Sequence, residues 1–476
     1  MKIVFTSLFR RGMGGGAGRV AHELAENFAK KHQVVMVCPA DETGLTISDD
    51  GLLVFGIRSA GDDEFHMPAL SARTVNEVFD FLDDFEPDVV HAHDPALVGL
   101  VGQIWARMNL VPFVHTAHVL PSKALDFGTS DVINLRWLKS SFSESVTYRV
   151  LGDFYENCDA IIALNESAQE SIREFGYEGL VYRIPNGRSL SHYQVGDFAS
   201  NQSREKYLTF IGYLSERKNQ LYLLKVLRKL PDNYHLRLIG RALDKDYKEK
   251  LDDYCQKHKL KNVEFIGQLE HDEIPPYLAD THVFPSASKM EVQSLVVIEA
   301  LASGTPVVGL SNETIDELIS EKNGAWLDKE SKPSQFAAAV EQICEQPPEV
   351  YKQICQNARE RVSHLDWSII VDQTADAYRE IKQIKPTVSS EENDMLKGMV
   401  QFFTTGELED FLLDRLDEAR GKPGGKSGLL KRFGIPRGLR SFIRVPSSTW
   451  LISGGTVLIS VIGYFFMKGR GGKKKK

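Results

Sequence analysis

Cysteine is scarce in this sequence, with five residues in 476 positions. The number is odd and no pair has the spacing of zinc ligands, which argues against a disulfide framework and a cysteine-bound metal. The opening MKIVFTSLF is too short for a signal peptide and precedes Arg10 and Arg11. Together these features predict a cytosolic catalytic part with reduced, buried thiols. The cysteines are Cys38, Cys158, Cys255, Cys344 and Cys355.

Acidic residues are missing after Glu418, whereas fourteen Lys and Arg lie between 420 and 476. The formal net charge of −8 therefore combines an acidic globular part with a basic tail. Because the globular part is acidic and carries no nucleic-acid-binding motif, we expect no nucleic-acid partner.

The longest uncharged apolar run is WLISGGTVLISVIGYFFM at 450–467. Its eighteen residues reach about 27 Å at the rise of a helix, which is just enough to cross a bilayer. We predict a transmembrane helix at 447–468, an amphipathic and basic juxtamembrane region at 386–446, and a basic tail at 469–476. The basic residues on both sides predict contact with an anionic membrane surface and leave the side of the tail undecided.

The start of the chain predicts a parallel α/β sheet. A strand at 2–9, the loop RRGMGGGAG, a helix from 19 to about 31 and a strand at 33–39 form a β–loop–α–β unit. The loop matches G-x-G-x-x-A at Gly12, Gly14 and Ala17. A dinucleotide-dependent dehydrogenase is therefore one alternative, although no acid follows convincingly at the expected offset.

Two later strands end in histidines. The strand at 88–93 ends in HAHDP, and PFVHTAH forms the strand at 112–118. His91, His93, His115 and His118 therefore belong to neighbouring strand ends. The carboxyl ends of parallel strands form the ligand crevice of a doubly wound sheet. Substrate binding, metal ligation and structural hydrogen bonding are all compatible with this cluster.

The stretch SASKMEVQSLVVIEALASGTPVVGL at 286–310 carries Glu291 and Glu299 at E-x7-E spacing. We predict Glu291 in a loop and Glu299 on a buried helix that starts near Ser294 and stops at Ser303-Gly304. Free N–H groups in the turn at 293–295 would suit an anionic phosphate. A carboxylate in so apolar a helix needs donors. Sugar hydroxyls are one possibility, and a buried ion pair is the other.

The string EVQSLVVIEALASGTPVV resembles the donor site of retaining family-4 glycosyltransferases of the GT-B architecture. It is most similar to that of the bacterial 1,2-diacylglycerol 3-alpha-glucosyltransferases. The glycine loop, the HT-x-H motif, IPNG at 184–187 and a lysine loop at 215–218 follow in the family's order. Three positions depart from the pattern: Ser294 replaces a glycine, Arg188 a valine, and Tyr213 an arginine that contacts phosphate.

The resemblance implies two Rossmann-like, doubly wound domains that face a cleft. The acceptor domain would span 1–189, the linker 190–205 and the nucleotide-sugar domain 206–385. The reaction implied is transfer of a hexose, glucose from UDP-glucose in the most similar pattern, to a lipid such as diacylglycerol, with retention of configuration. Mannosyl or N-acetylglucosaminyl transfer to phosphatidylinositol or a polyprenol-linked acceptor is an alternative, and a non-catalytic scaffold is another.

The resemblance also assigns residues. His118 and Glu291 would act in catalysis, with Glu291 on the sugar hydroxyls and Glu299 on the ribose. His93, His115 and Trp137, the last in a long loop at 119–142, would face the acceptor. No cofactor or metal is implied, because positive groups would hold the diphosphate. The donor-binding residues would be Gly15, Gly16, Arg217, Lys218, Gln293, Ser294, Leu295 and Glu299.

Overall fold

The computed structural model describes residues 1–61, 66–95, 97–120, 151–193 and 205–384. Trp137, most of the loop at 119–142 and the predicted regions from 386 onward lie outside these residues. Within the described ranges no helix combines the length and the apolar character needed to cross a membrane. The chain divides into two compact units: Met1–Ile184 with the chain from Val371 onward, and Pro185–Ile370.

The first unit is built on a nine-stranded sheet with the order β3-β4-β2-β1-β6-β7-β8-β9, and β5 pairs with β4. The strands are parallel except β3 and β5, which run antiparallel to β4. The strands are β1 (Lys2–Thr6), β2 (Gln33–Ala40), β3 (Gly44–Ile47), β4 (Leu53–Gly61), β5 (His66–Pro68), β6 (Val89–Ala92), β7 (Phe113–Thr116), β8 (Ala160–Ala163) and β9 (Leu180–Arg183). The helices are α1 (Gly15–Ala29), α2 (Ala72–Phe85), α3 (Leu97–Met108) and α4 (Glu166–Glu174).

The strand order of this sheet reverses between β1 and β6, which are parallel neighbours. Such a reversal opens a crevice at the carboxyl ends of the two strands. The glycine loop follows β1, and His93 and Asp94 follow β6. The Asp94 carboxylate accepts a hydrogen bond from the Leu8 N–H at 2.5 Å and so joins the two loops.

Helix α1 begins at Gly15, four residues earlier than the sequence predicted. Gly14 caps it in the left-handed region at φ 75°, where a side chain is disfavoured. A Cβ on Gly18 would lie 2.1 Å from the Met13 carbonyl oxygen. The glycines thus let the chain turn sharply and enter the helix at once, rather than forming an extended loop.

The second unit has two three-stranded parallel sets, β10-β11-β12 and β13-β14-β15. A bridge between Leu208 and Val283 joins β10 to β13, so the sheet again reverses at its centre. The strands are β10 (Lys206–Ile211), β11 (Tyr234–Ile239), β12 (Val263–Gly267), β13 (Phe284–Ser286), β14 (Val307–Leu310) and β15 (Gly324–Leu327). The helices are α5 (Gln220–Leu227), α6 (Lys245–His258), α7 (Ile274–Ala279), α8 (Leu295–Ala302), α9 (Glu313–Leu318), α10 (Pro333–Cys344) and α11 (Pro348–Val362).

The last described helix, α12 (Trp367–Ile381), begins in the second unit and ends in the first. In the first unit, Lys31 pairs with Asp372 at 2.8 Å and Lys382 pairs with Asp88 at 2.6 Å. These contacts hold the carboxyl-terminal part of α12 on the first unit. The second unit ends at Ile370, whereas the predicted nucleotide-sugar domain extends to 385.

Candidate active site

In the first unit, the four predicted histidines lie close together at the ends of β6 and β7. His91 uses both ring nitrogens, with Nδ1 2.5 Å from the Tyr378 hydroxyl and Nε2 2.7 Å from the Thr116 hydroxyl. The His115 Nδ1 lies 3.0 Å from the Ala92 carbonyl oxygen. Both side chains are engaged in holding strands and the last helix together. Tyr378 could not be predicted as this partner, because it lies 287 residues away in the chain.

His93 connects this structural pair to His118. Its Nδ1 lies 2.9 Å from the His118 Nε2, and its ring stacks on those of His91 and His118 with centroids 4.5 Å and 5.2 Å apart. The His93 Nε2 is buried and has no hydrogen-bond partner among the described residues. His118, by contrast, is partly exposed. The hydrogen bond and the stacked rings hold the His118 side chain in place, and the residue remains half-buried.

Burial keeps these rings neutral. It lowers the pKa of His91 and His93 well below the ordinary value of 6.5, and the neighbouring histidines add to the effect. Burial lowers the pKa of His115 to about 4 and that of His118, beside His115, to about 3. At neutral pH the rings can donate or accept hydrogen bonds but carry no charge. Within the described ranges no three His, Cys, Asp or Glu side chains are grouped so as to hold a metal ion.

The glycine loop presents backbone to solvent. Gly12, Gly15 and Gly16 are exposed, and Gly12 and Gly15 adopt φ values of 81° and 59°. No side chain caps the start of α1, and no acidic residue lies in its first turn. This helix end therefore combines a positive dipole with accessible N–H groups, which suits an anion.

In the second unit, Lys218 and Glu291 form an ion pair across the strand reversal. Lys218 lies in the loop after β10 and Glu291 in the loop after β13, and their side chains are 12% and 10% exposed. The Arg217 Nη1 lies 3.6 Å from the same Glu291 oxygen and donates to the Met290 carbonyl at 3.2 Å. The structure thus brings together three of the predicted site residues.

The loop that carries Lys218 is fixed by Gln220. Its side-chain oxygen accepts the Ser215 N–H at 3.2 Å, and its amide donates to the Tyr213 carbonyl at 2.8 Å. The Arg241 guanidinium lies 5.6 Å from the centre of the Tyr213 ring. Arg241, which was not predicted as a site residue, brings a positive charge close to Tyr213, the residue that replaces the family's phosphate arginine.

Two neighbouring cations together lower the pKa of Glu291 by more than burial raises it. Burial by itself raises the pKa of Glu291, but Lys218 and then Arg217 lower it below its ordinary value. Burial lowers the pKa of Lys218, and Glu291 opposes that shift. At neutral pH the pair is therefore an ammonium and a carboxylate, each ready to contact a polar ligand.

Some polar groups of the turn before α8 are already hydrogen-bonded within the protein. Ser294 is the N-cap of α8 without a side-chain capping bond, and its N–H donates to the Thr314 hydroxyl at 2.8 Å. The Gln293 side-chain oxygen accepts the Asn186 N–H at 2.7 Å. Leu295 is the first helical residue. The predicted set of free N–H groups was therefore wrong for Ser294, because Thr314 from α9 already occupies it.

Glu299 lies on α8 as predicted, but it is fully buried beside Arg188. The Arg188 Nε donates to Glu299 Oε1 at 2.9 Å, and Nη2 donates to the same oxygen. The sequence allowed either sugar hydroxyls or a buried cation as donors to Glu299. Among the described residues, the cation Arg188 is the donor. A contact between Glu299 and a ribose stays a prediction.

Two doubly wound units, each with loops at the carboxyl ends of its central strands, define a two-domain α/β protein of the GT-B class. Two family models match successive parts of the chain. "Glycosyltransferase Family 4" matches residues 14–192, and "Glycosyl transferases group 1" matches residues 197–361. The chain belongs to the family-4 glycosyltransferases of the GT-B fold, and it is an enzyme of that class.

The chain is similar to several curated proteins. It is 28% identical to a glycogen synthase of Mycobacterium tuberculosis over 310 aligned residues. The alignment covers 63% of this chain and 70% of the relative. It is 26% identical to an alpha-monoglucosyldiacylglycerol synthase of Streptococcus pneumoniae over 264 aligned residues. This alignment covers 52% of this chain and 58% of the relative. Lipid and glucan enzymes thus both lie among its relatives.

The fold is similar to those of solved glycosyltransferases. A sucrose-phosphate synthase from Thermosynechococcus elongatus gives a TM-score of 0.64 at 20% identity, covering 80% of this chain and 99% of that one. HepE from Anabaena in complex with UDP gives 0.65 at 20% identity, covering 80% of this chain and 100% of that one. These similarities support the GT-B fold of the whole described part.

Proposed function

We propose that this glycosyltransferase transfers a hexose from a nucleotide diphosphate donor, UDP-glucose first among them, to a lipid acceptor at the cytosolic face of a membrane. The observation that carries the proposal is the cluster of Lys218, Arg217 and Glu291 at the strand reversal of the second unit. Two cations and one carboxylate at such a position match a ligand with a diphosphate and several hydroxyls.

The chemistry follows from the charges. The bond between the sugar carbon and the diphosphate oxygen breaks, a bond to the acceptor oxygen forms on the same face, and the diphosphate takes the acceptor's proton. Lys218 and Arg217 would stabilise the negative charge that develops on the diphosphate. Glu291 would accept hydrogen bonds from the sugar hydroxyls, and it would exchange part of its contact with Lys218 for them. Neutral His118 would bind the sugar without transferring a proton.

The names of similar proteins support the choice of donor and acceptor. Solved structures of HepE contain UDP and UDP-glucose. Relatives include alpha-monoglucosyldiacylglycerol synthases, and a phosphatidyl-myo-inositol mannosyltransferase of Mycolicibacterium smegmatis is 24% identical over 316 residues. The apolar run at 450–467 and its basic flanks supply an anchor near such acceptors.

A donor panel tests the proposal. Full-length protein in membranes is incubated separately with radiolabelled UDP-glucose, GDP-mannose and UDP-N-acetylglucosamine, and lipid extracts are separated by thin-layer chromatography. We expect labelled lipid from UDP-glucose that increases when diacylglycerol is added. Label only from GDP-mannose, increased by phosphatidylinositol, would identify the alternative donor and acceptor. Label from none of the three would contradict the proposal.

A further inference from the structure

Tyr378 is a fully buried side chain of α12, and its hydroxyl meets the histidine cluster of the first unit. Its ring centroid lies 5.6 Å from that of Phe28, and its hydroxyl oxygen lies 2.5 Å from the His91 Nδ1. Packing against Phe28 needs an apolar ring alone, which a phenylalanine would supply. The hydroxyl is a buried polar group, and such groups are normally hydrogen-bonded. The contact with His91 therefore accounts for a tyrosine at this position.

His91 is held at both nitrogens of its ring. Its Nε2 lies 2.7 Å from the Thr116 hydroxyl, and its Nδ1 meets Tyr378. Burial lowers the pKa of His91 well below 6.5 and keeps the ring neutral, so one nitrogen donates and the other accepts. A hydroxyl can take either role, which lets Tyr378 and Thr116 satisfy both nitrogens in either tautomer. Two hydrogen bonds at separate points of the ring fix its plane as well as its position.

Two connections lead from His91 to His118. The first runs through Thr116, whose carbonyl oxygen accepts the His118 N–H at 3.0 Å. The second runs through the His93 ring, which stacks on His91 and His118 with centroids 4.5 Å and 5.2 Å apart and interplanar angles of 30° and 22°. His93 also bonds to His118 at 2.9 Å. The rings of His91, His93 and His118 form a nearly parallel ring column, and Tyr378 holds its buried end.

Attachment of α12 to the first unit is an alternative role for the contact between Tyr378 and His91. That attachment has other supports, since Lys382 pairs with Asp88 at 2.6 Å and the Tyr378 ring packs on Phe28. Without the hydroxyl, the His91 Nδ1 would lose its partner in the core, and the ring would keep one hydrogen bond about which it can turn. The hydroxyl therefore matters more for the ring column than for the helix.

We propose that Tyr378 is a positioning residue for His118, and that it acts through His91 by fixing the ring column that ends in His118. Tyr378 does not touch the ligand; it determines how the His118 ring is presented to the sugar. The catalytic part of the inference rests on the proposed function, because it assumes that His118 binds the sugar of the donor. The structural part, a link between the Tyr378 hydroxyl and the His118 ring, can be measured without substrate.

Hydrogen exchange at the C2 position of histidine rings, followed residue by residue by mass spectrometry, measures the structural part. The exchange rate of each ring depends on its pKa and on its access to solvent. Full-length wild type, Tyr378→Phe and Lys382→Ala are compared in detergent, because Lys382→Ala removes a support of α12 that does not contact His91. We expect Tyr378→Phe to change the His118 rate several-fold and Lys382→Ala to leave it at the wild-type value. His258, in the second unit, is the internal reference.

Two outcomes of the exchange measurement would overturn the inference. One is a His118 rate that is the same in Tyr378→Phe and in the wild type. The other is an equal change in Tyr378→Phe and Lys382→Ala, which would show that attachment of the helix is what matters. Circular dichroism checks folding. If Tyr378→Phe does not fold, Thr116→Val takes its place with the same expectation, because it removes the other hydroxyl bonded to His91.

Steady-state kinetics test the catalytic part. Tyr378→Phe should lower kcat about three- to tenfold with little change in the KM for donor, which is the loss expected for one hydrogen bond. In a His118→Gln background the same substitution should have no further effect, because residues that act through one another are not additive. Equal losses in both backgrounds, or wild-type kcat in Tyr378→Phe, would contradict the proposal. If His118→Gln leaves no measurable transfer, the exchange rates decide.

Failure of the proposed function gives a different result. If the wild-type protein transfers no sugar from any donor of the panel, the proposed function is contradicted, and exchange at His118 still shows whether Tyr378 holds its ring. If transfer is normal and the His118 rate is the same in wild type and Tyr378→Phe, only the role given to Tyr378 is wrong.

Discussion

Lys218 and Glu291 form an ion pair across the strand reversal of the second unit, from the loops that follow β10 and β13. The sequence assigned them to different parts of one ligand, the diphosphate and the sugar. Because each neutralises the other, both can be largely buried as charges. A donor that brings an anionic diphosphate to Lys218 and hydroxyls to Glu291 would replace the contact that each loses.

The first prediction concerns Glu291. Glu291→Gln should preserve the fold but lower kcat by two orders of magnitude or more, because each hydrogen bond to a charged group contributes about 1.5–3 kcal/mol. Steady-state kinetics at saturating donor, with a thermal melt of each protein, measure this effect. Lys245→Ala, at a side chain 88% exposed in the same unit, serves as a control that should retain wild-type activity. Near wild-type turnover of Glu291→Gln would contradict the role of Glu291.

The second prediction concerns His93 as a positioning residue for His118. His93→Phe keeps a ring of similar size in the stack but removes the 2.9 Å hydrogen bond to His118. Since a net hydrogen bond contributes about 0.5–1.5 kcal/mol, kcat should fall roughly three- to tenfold with little change in the KM for donor. His93→Asn should recover part of kcat because its amide can bond to His118. Equal activity of the Phe variant and the wild type would exclude a positioning role.

The third prediction is a loss of stability in mild acid. His91, His93, His115 and His118 have pKa values below 6.5 in the folded protein, so below pH 6.5 the unfolded chain binds protons that the folded chain does not. The free energy of unfolding should therefore decrease as pH falls from about 6.5 towards 4, by up to roughly 1.4 kcal/mol per pH unit for each ring. Urea denaturation at a series of pH values measures the slope.

A matched variant checks the origin of that slope. His93→Phe removes one of the four rings and should make the pH dependence shallower by up to roughly 1.4 kcal/mol per pH unit, whatever its effect on stability at pH 7. A wild-type free energy of unfolding that stays constant between pH 6.5 and 4.5 would show that the cluster is not buried as a neutral group.

The fourth prediction concerns the tail. Deleting residues 447–476 removes the uncharged run at 450–467 but keeps the basic residues before it. The protein should change from integral to salt-extractable membrane association, because charge attraction weakens at high ionic strength. Activity on a short-chain soluble acceptor should survive, and activity on acceptor in a bilayer should fall. A truncated protein that still resists carbonate extraction would show that another segment anchors the chain.

Much of the fold could be predicted from the sequence, because buried parallel strands are apolar runs and polar or glycine residues follow them. The predicted strands at 33–39 and 88–93 match β2 and β6 within one residue at each end. The short strands β3 and β5 were missed, because Leu45 and Ile47 lie on an exposed edge and give no core pattern. The start of α1 was placed too late because glycines are poor helix formers.

The site was predicted less completely, for a physical reason. Motifs identified Lys218, Glu291 and His118 because the loops at parallel strand ends converge on one edge. Partners from distant elements had no local signal: Tyr378 on His91, Thr314 on Ser294 and Arg188 on Glu299. Only the packed structure shows which hydrogen bonds are already made and which groups can still meet a ligand.

The most direct test of the account measures sugar transfer by purified wild-type, Lys218→Ala and Lys245→Ala proteins with labelled UDP-glucose and diacylglycerol in mixed micelles. We expect wild-type protein and Lys245→Ala to form one labelled glycolipid with an α-linked sugar, identified by NMR. We expect Lys218→Ala to lose at least a hundredfold in kcat, since it lacks the cation that stabilises the leaving diphosphate. A product with a β linkage, or transfer that is unchanged in Lys218→Ala, would contradict the central claim.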